Sequence, residues 1–557
     1  MSEAQTKPQQ TAPHASKGSW DLLVIGGGIT GAGILLEAAR RGLKALLVEQ
    51  RDYAWGTSSR SSKLVHGGLR YLAEGRLRLT RESVREREAL LRDAPGLVEP
   101  QGFAFADYGA SRRKRHSFLA GLAVYDLMAG RRRGRERHWV DAEAFTMLAP
   151  NIRQDGLQGG ICYTDAKTDD ARLVLRVLDE ARSHGAETLN YVAVESLQRA
   201  GGRVSGAVLR DGRSGAAFDV TARVVVNATG AWACGIVGQG NAPRLRPLRG
   251  SHLVLPAWRL PLSQAVSLMH PLDGRPVFAF PWEGVTLVGT TDVDHGDGLA
   301  LEARITRPEF DYLMAAMRAQ FPQLGLQDHD VLATYAGVRP VLDSGSGAAP
   351  SKEARAHLVW DEPGLVAVTG GKLTTFRAIA LDTLRQVARQ LPDWRADLAP
   401  RPVFALRAVP FLTPFATAGA ARAIPAGLLQ RLAGRHGRHA QAVVDCAHEG
   451  ELALVPGTLT PWAELRWAAR SEAVHKLDDL LLRRTRLGIQ LHAGGAALLP
   501  RIRAICQPEL GWSDAHWEAE QAAYLLLWQA YYGLPDVLTP TSIPTPTPTP
   551  AHEPAHD

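Results

Sequence analysis

A chain of 557 residues with 45% hydrophobic and 22% charged side chains exceeds a single domain of ~100–200 residues and is too apolar to be disordered throughout. Its four cysteines, Cys162, Cys234, Cys446 and Cys506, form no CxxC pair, which argues against a disulfide scaffold, a zinc ribbon, an iron–sulfur cluster or a redox dithiol and leaves no metal to expect. The net charge of +7 resides between Ser111 and Arg137, where nine basic residues face only Asp126 and Glu136, so the chain is neutral with one basic patch and shows no nucleic-acid-binding fold.

In chain order, residues 1–18 read as a polar, disordered flank without the charged start and apolar stretch of a secretory signal, so the protein is expected on the cytoplasmic side. Leu22–Ile25 is a short β-rich run, followed by alanine-rich helical sequence to Arg41 and a second strand, Ala45–Val48, ending at Glu49. Phe118–Gly130 carries Phe118, Leu119, Leu122, Tyr125 and Met128 at helical spacing between basic clusters, the pattern of a helix lying on anionic lipid or packed on its own domain. Val224–Asn227, Val285–Thr290 and Leu365–Thr369 read as strands; Leu398–Pro414 reads as a linker, and Leu465–Leu487 as a helix. The Thr-Pro repetition from Thr539 to Pro550 buries nothing. No stretch reaches the ~20 predominantly apolar residues that cross a bilayer.

Between the first strand and helix, Gly26, Gly28 and Gly31 have GxGxxG spacing. Gly26 permits the tight turn, Gly28 lets the backbone approach a pyrophosphate, and Gly31 lets helix and strand pack closely. The helix start supplies free N–H groups and partial positive charge for phosphates. Glu49 ends the second strand, where a carboxylate accepts ribose hydroxyls and disfavours a 2′-phosphate. The motif alone leaves NAD and FAD open.

The stretch from Gly56 to Tyr71, GTSSRSSKLVHGGLRY, resembles the flavin-contacting segment of FAD-dependent glycerol-3-phosphate dehydrogenases of the respiratory, quinone-linked type. The likeness continues at Val225–Trp232, Arg249–Leu253, Gly289–Asp292, Gly337–Pro340, Gly370–Thr375 and Arg483–Arg486, covering roughly residues 20 to 500. Phe376 stands where that family commonly has Tyr, and Ala356 follows Arg355 where an acid is usual.

The resemblance implies an α/β (α+β) fold. A Rossmann-like FAD-binding domain, about 19–90, 150–245 and 335–400, is interleaved with an antiparallel-sheet substrate domain, about 91–149 and 246–334. An all-helical C-terminal domain, 401–535, and a disordered tail, 536–557, follow. FAD is implied to rest on Gly26, Gly28, Gly31, Glu49, Thr57, Ser58, Ser59, Ser62, Lys63, His66, Gly67, Gly68, Ala228, Gly230, Gly370, Gly371, Leu373 and Thr374.

The implied reaction takes a hydride from C2 of sn-glycerol 3-phosphate to FAD and passes electrons to ubiquinone or menaquinone at the inner face of the cytoplasmic membrane. Arg70, Arg339 and Lys372, with Arg355 as a fourth, are the expected phosphate clamp, since Arg grips an oxyanion bidentately. His252 is the expected general base, its ordinary pKa suiting proton removal at neutral pH. Thr290 is expected on flavin or substrate, Tyr71 on the phosphate, and Lys372 in a helix beginning at Gly370–Gly371 whose positive end favours the anionic reduced flavin. Anionic lipids are expected partners, nucleic acid is not, and a homodimer is left open. The rival readings are an oxidase that uses O2 and a non-catalytic flavin- or lipid-binding relic.

Overall fold

The computed structural model describes residues 18–109, 112–130, 137–236, 243–343, 356–404 and 424–535, with the side chains of residues 70, 73 and 112–114 excepted. Both expected flanks (apart from Gly18), most of the basic cluster and Arg355 lie outside the described residues.

The first strand, β1 (Ser19–Ile25), is almost wholly apolar and buried because its sheet is covered on both faces. It pairs in parallel with β2 (Ala45–Glu49) and with Ala217–Asn227. The sheet runs His357–Glu362, Leu365–Gly370, Ala217–Asn227, β1, β2, Glu187–Asn190, and the hairpin Val192–Ala200/Arg203–Asp211 joins at Ala217–Asn227. The crossover helix α1 (Ile29–Ala39) is apolar nearly all round, since it is sandwiched between this sheet and the helices Asp170–Ser183 and Phe376–Gln390.

The second sheet is mostly antiparallel. Its strands include Val98–Asp107, Gly159–Thr168, β3 (Leu245–Pro256), Ala265–Met269, Pro276–Trp282, β4 (Val285–Gly289) and β5 (Ala333–Leu342). β3 is central to the site: β4 lies on one edge and β5 on the other, with His252 opposite both Gly289 and Tyr335. One pairing, Val98–Asp107 with Ala265–Met269, is parallel. Gly159–Thr168 pairs along its whole length with Val98–Asp107, and β5 pairs with β3 in this sheet. Strand periodicity reports burial but not which partner supplies the hydrogen bonds, so the sheet each strand joins is not legible in its pattern.

C-terminal helices Ala426–His436, Trp462–Ser471, Leu499–Leu510 and Asp514–Tyr531 follow. The last three share one core with the second sheet, where Trp282, Leu287 and Tyr335 pack with Leu465, Leu480 and Trp517, whereas Leu432 of the first packs in a separate cluster with Val443 and Ala463. The expected helix Leu465–Leu487 is three pieces: it stops at Ser471, resumes as a π-helical turn at Asp479–Arg484, and restarts at Leu487 after Arg486 takes a φ of 66°. Its apolar periodicity spans a segment in which Glu472, Arg483, Arg484 and Arg486 make buried contacts with the first part of the chain, which a periodic pattern does not record.

Candidate active site

The glycines of the first turn are dictated by neighbouring backbone. Gly26 sits at φ 112° with Ala228 O only 2.7 Å from where a Cβ would lie, and a Cβ on Gly31 would fall 1.9 Å from Gly26 O. Gly28 caps α1 without a side-chain bond to it. The first-turn N–H groups are met from outside: Gly27 N donates to Glu49 Oε2 at 2.7 Å, and Ile29 N donates to Ser58 Oγ at 3.0 Å. Glu49 also accepts from Arg51 N at 2.9 Å; burial raises its pKa, and these two backbone donors act against that rise.

Above this turn lies an elongated cavity of about 350 Å³. Gly26, Gly28, Glu49, Thr57, Ser58, Ala228, Gly230, Gly370, Gly371 and Leu373 line it, all expected positions. Gln50, Trp55, Val192, Val194, Trp232 and Pro340 line it too; none was named as a site residue, although Trp232 and Pro340 end two of the quoted motifs, and Val192 and Val194 stand in none of them. Gly370 and Gly371, at φ 79° and 81°, leave no room for a Cβ against Ala356 O and Ile379. A helix N-terminus and a ribose-accepting carboxylate at one end, with a glycine turn and Lys372 at the other, fit an extended dinucleotide such as FAD.

Other expected cofactor residues stand behind this wall. Ser59 O accepts from Lys63 Nζ at 3.0 Å, and that ammonium is buried against Asp170 Oδ1 at 3.0 Å rather than turned to the cavity. Burial, with Arg486 nearby, lowers Lys63 to about 8. Thr374 Oγ1 donates to His66 O at 3.3 Å. Gly67 N donates to Asp165 Oδ1 at 3.0 Å, and Asp165 also holds Arg87 and Tyr125. A Cβ on Gly68 would meet Tyr71 at 2.4 Å.

Two clusters hold the expected catalytic residues. On the second sheet, His252 is only 1% exposed. Its ring lies on Tyr335, with centroids 4.6 Å apart and planes 11° from parallel. Its Nε2 is 2.9 Å from Ser62 Oγ, and its Nδ1 has no hydrogen-bond partner among the described residues. Burial first, then the charges of Arg339 and Lys63, hold His252 well below the ordinary imidazole range, so it is neutral. Arg339 donates to Asp292 Oδ1 at 3.0 Å and to Thr290 Oγ1 at 3.1 Å. Asp292 and Tyr335 were not foreseen as site residues, although Asp292 stands in the quoted Gly289–Asp292 motif and Tyr335 alternates with Arg339 along β5.

The second cluster joins Tyr71, 3% exposed, to Lys372, whose Nζ lies 3.8 Å from the Tyr71 ring centroid and donates to Ser83 Oγ at 3.1 Å. Lys372 is not inside a helix as expected. It is extended (φ −139°, ψ 157°), and the turn Leu373–Thr375 and helix Phe376–Gln390 follow it. Two positive-φ glycines end the strand, so the chain needs one extended residue before it can enter helical geometry. Arg70 falls in the short helix Leu69–Ala73, its side chain outside the described residues, and Arg355 lies outside them altogether.

A family model described as FAD dependent oxidoreductase matches residues 21–381, and one described as the C-terminal domain of alpha-glycerophosphate oxidase matches residues 404–517. The aerobic glycerol-3-phosphate dehydrogenase of Staphylococcus haemolyticus is 32% identical over 84% of this chain and 86% of its own length. That of Bacillus subtilis is 38% identical over 66% of each chain. Among solved structures, the glycerol-3-phosphate dehydrogenase from Bacillus halodurans complexed with FAD superposes with a TM-score of 0.72 at 29% identity, covering 93% of this chain and 96% of that one. The L-alpha-glycerophosphate oxidase from Mycoplasma pneumoniae, at 18% identity and a TM-score of 0.53 over 69% of this chain and 97% of that one, shares the fold. With the glycine cradle, the cavity and both matches in place, the chain belongs to the FAD-dependent oxidoreductases and, within them, to the aerobic glycerol-3-phosphate dehydrogenase family.

Proposed function

We propose that the protein oxidises sn-glycerol 3-phosphate to dihydroxyacetone phosphate and that the electrons leave to a membrane quinone, ubiquinone or menaquinone. The observation carrying this reading is a buried, neutral imidazole beside a guanidinium on adjoining strands, His252 and Arg339, one residue from the cavity-lining Pro340. FAD supplies the acceptor for the C2 hydride when bound. His252 takes the C2 hydroxyl proton at Nδ1, the nitrogen not held by Ser62. Arg339, fixed by Asp292 and Thr290, presents its guanidinium to the phosphate. The dianion offsets the positive charge that depresses His252, so substrate binding raises the basicity of the residue that must accept the proton. Lys372, at the cavity's glycine end and packed on Tyr71, adds a second cation, with Arg70 and Arg355 as further clamp members by motif.

Association with anionic lipid is part of this proposal. No helix among the described residues is long and apolar enough to cross a membrane. The helix Arg112–Ala129 buries Leu122 and Tyr125 but leaves Val124 and Leu127 exposed, and its start and the segment after it hold the basic cluster.

The test is anaerobic addition of glycerol 3-phosphate to the yellow protein, followed by a ubiquinone analogue or oxygen. Bleaching with the phosphate but not with glycerol, then rapid recovery with the quinone, is expected. Absence of bleaching overturns the substrate reading; fast peroxide release with slow quinone recovery overturns the acceptor and favours an oxidase.

A further inference from the structure

The run Arg483–Arg486 lies in the C-terminal helical part and bonds within it, Arg483 to Asp478 and Arg486 to Leu482 O, yet its guanidiniums also reach far beyond that part. Arg484 donates to both oxygens of Asp52, at 2.6 and 2.7 Å, from 432 residues away; Arg483 adds a third donor and Asn190 a fourth at 3.0 Å. Asp52 is fully buried and is not among the residues that line the cofactor cavity. Arg486 reaches a second point, donating to Ser59 O at 2.7 Å. All four of these charged side chains are at most 2% exposed.

Residues 52 and 59 are the two ends of the loop whose middle, Trp55 to Ser58, forms a wall of the dinucleotide cavity. Inside that span Ala54 N donates to Gly27 O at 3.0 Å, and Ser58 Oγ receives Ile29 N at the helix start. The loop is thus pinned to the phosphate turn from within and to the C-terminal part at each end. The π-helical turn Asp479–Arg484, a departure from α-helix often found at functional positions, and the left-handed Arg486 aim three guanidiniums at one loop.

We propose that Arg483, Arg484 and Arg486 form a cofactor-retention clamp, with Asp52 and Arg484 as positioning residues that hold the cavity wall in its FAD-binding shape. A C-terminal helical part is then needed for flavin affinity, although none of these side chains touches the cavity. The loop from Asp52 to Ser59 has no regular strand or α-helix of its own, and ordering it on each binding event would subtract directly from affinity; a wall held in place beforehand avoids that loss.

The clamp is separable from ordinary structural support. Arg466 makes a buried ion pair with Glu451 and a second with Glu509, both within the C-terminal part. Apoprotein of Arg484→Met and Arg466→Met would be titrated with FAD and melted with and without it. Arg484→Met is expected to weaken FAD binding roughly 10–100-fold and to shrink the rise in Tm on adding FAD, whereas Arg466→Met lowers both melts equally and leaves the FAD Kd unchanged. Arg484→Met behaving like Arg466→Met overturns the clamp. If Arg484→Met does not fold, Arg484→Lys keeps the charge but cannot bridge both oxygens of Asp52; an FAD Kd within about twofold of the parent in that variant overturns it equally.

Discussion

His252 combines burial, an aromatic face and one hydroxyl partner, and its protonation state follows from those contacts. A buried imidazole beside Arg339 resists a second proton, so it stays neutral below its ordinary range. For catalysis, where the base must be unprotonated, the acid limb of kcat/KM is therefore expected well below the ordinary imidazole range. Arg339→Met removes the nearby positive charge, which raises the His252 pKa and moves that limb to higher pH. The same change also lowers kcat/KM by ~10²–10³-fold, because a phosphate loses a charge-assisted bidentate donor. A pH profile of both proteins measures the two effects together; an unmoved limb would separate His252 from Arg339. For stability the sign is parallel: the unfolded chain protonates this imidazole below about pH 6.5 and the folded one does not, so the contribution is present above that pH and lost on acidification.

Among elements, the helix Arg112–Ala129 shows a split surface. Leu122 is buried, and Tyr125 is fixed by Asp165 and Arg87, so the helix is docked on its own domain. Leu127 is nevertheless 61% exposed and Met147, in the following helix, 75%. The buried face packs on its own domain, and the exposed face is the one on which the proposed lipid contact rests. Leu127→Glu is expected to weaken sedimentation with phosphatidylglycerol vesicles by several-fold while leaving turnover of a soluble acceptor unchanged, since an exposed apolar contact contributes only ~1–2 kcal/mol to interfacial binding. Equal sedimentation of parent and variant would place the lipid contact elsewhere.

At the scale of the whole molecule, buried charge joins the parts. Asp52, Asp478 and Asp479 meet Arg483 and Arg484 in one cluster, and Arg172 and Glu472 continue it. Burial against two basic partners leaves Asp52 at about 2, whereas burial beside Asp52 and Asp478 pushes Asp479 up to about 7. The two have opposite linkage. Asp52 contributes stability above the ordinary carboxylate value that is lost toward pH 2. Folded Asp479 keeps a proton the unfolded chain releases, so its contribution falls as pH rises from about 4 to 7. Thermal melts of Asp479→Asn and the parent at about pH 5 and about pH 7.5 are expected to differ in slope, the variant losing less stability on going to the higher pH. Parallel slopes would show that Asp479 ionises normally.

The sequence alone determined the phosphate turn, because glycine spacing, an apolar strand and an alanine-rich helix are local patterns: Gly31 is required by Gly26 O within the same turn, and only at Gly26 does the crowding atom, Ala228 O, come from far along the chain. It also pointed to His252, Arg339 and Lys372, whose proposed roles came from the family resemblance of the motifs that hold them. Only the tertiary structure decided that β5 pairs with β3 to bring Arg339 beside His252, that Lys63 spends its charge on Asp170, and that Arg484 finds Asp52. Those choices rest on pairings across tens to hundreds of residues, where a buried charge or an unpaired strand edge takes whichever partner the packed core delivers, and no periodicity in the chain encodes that partner in advance.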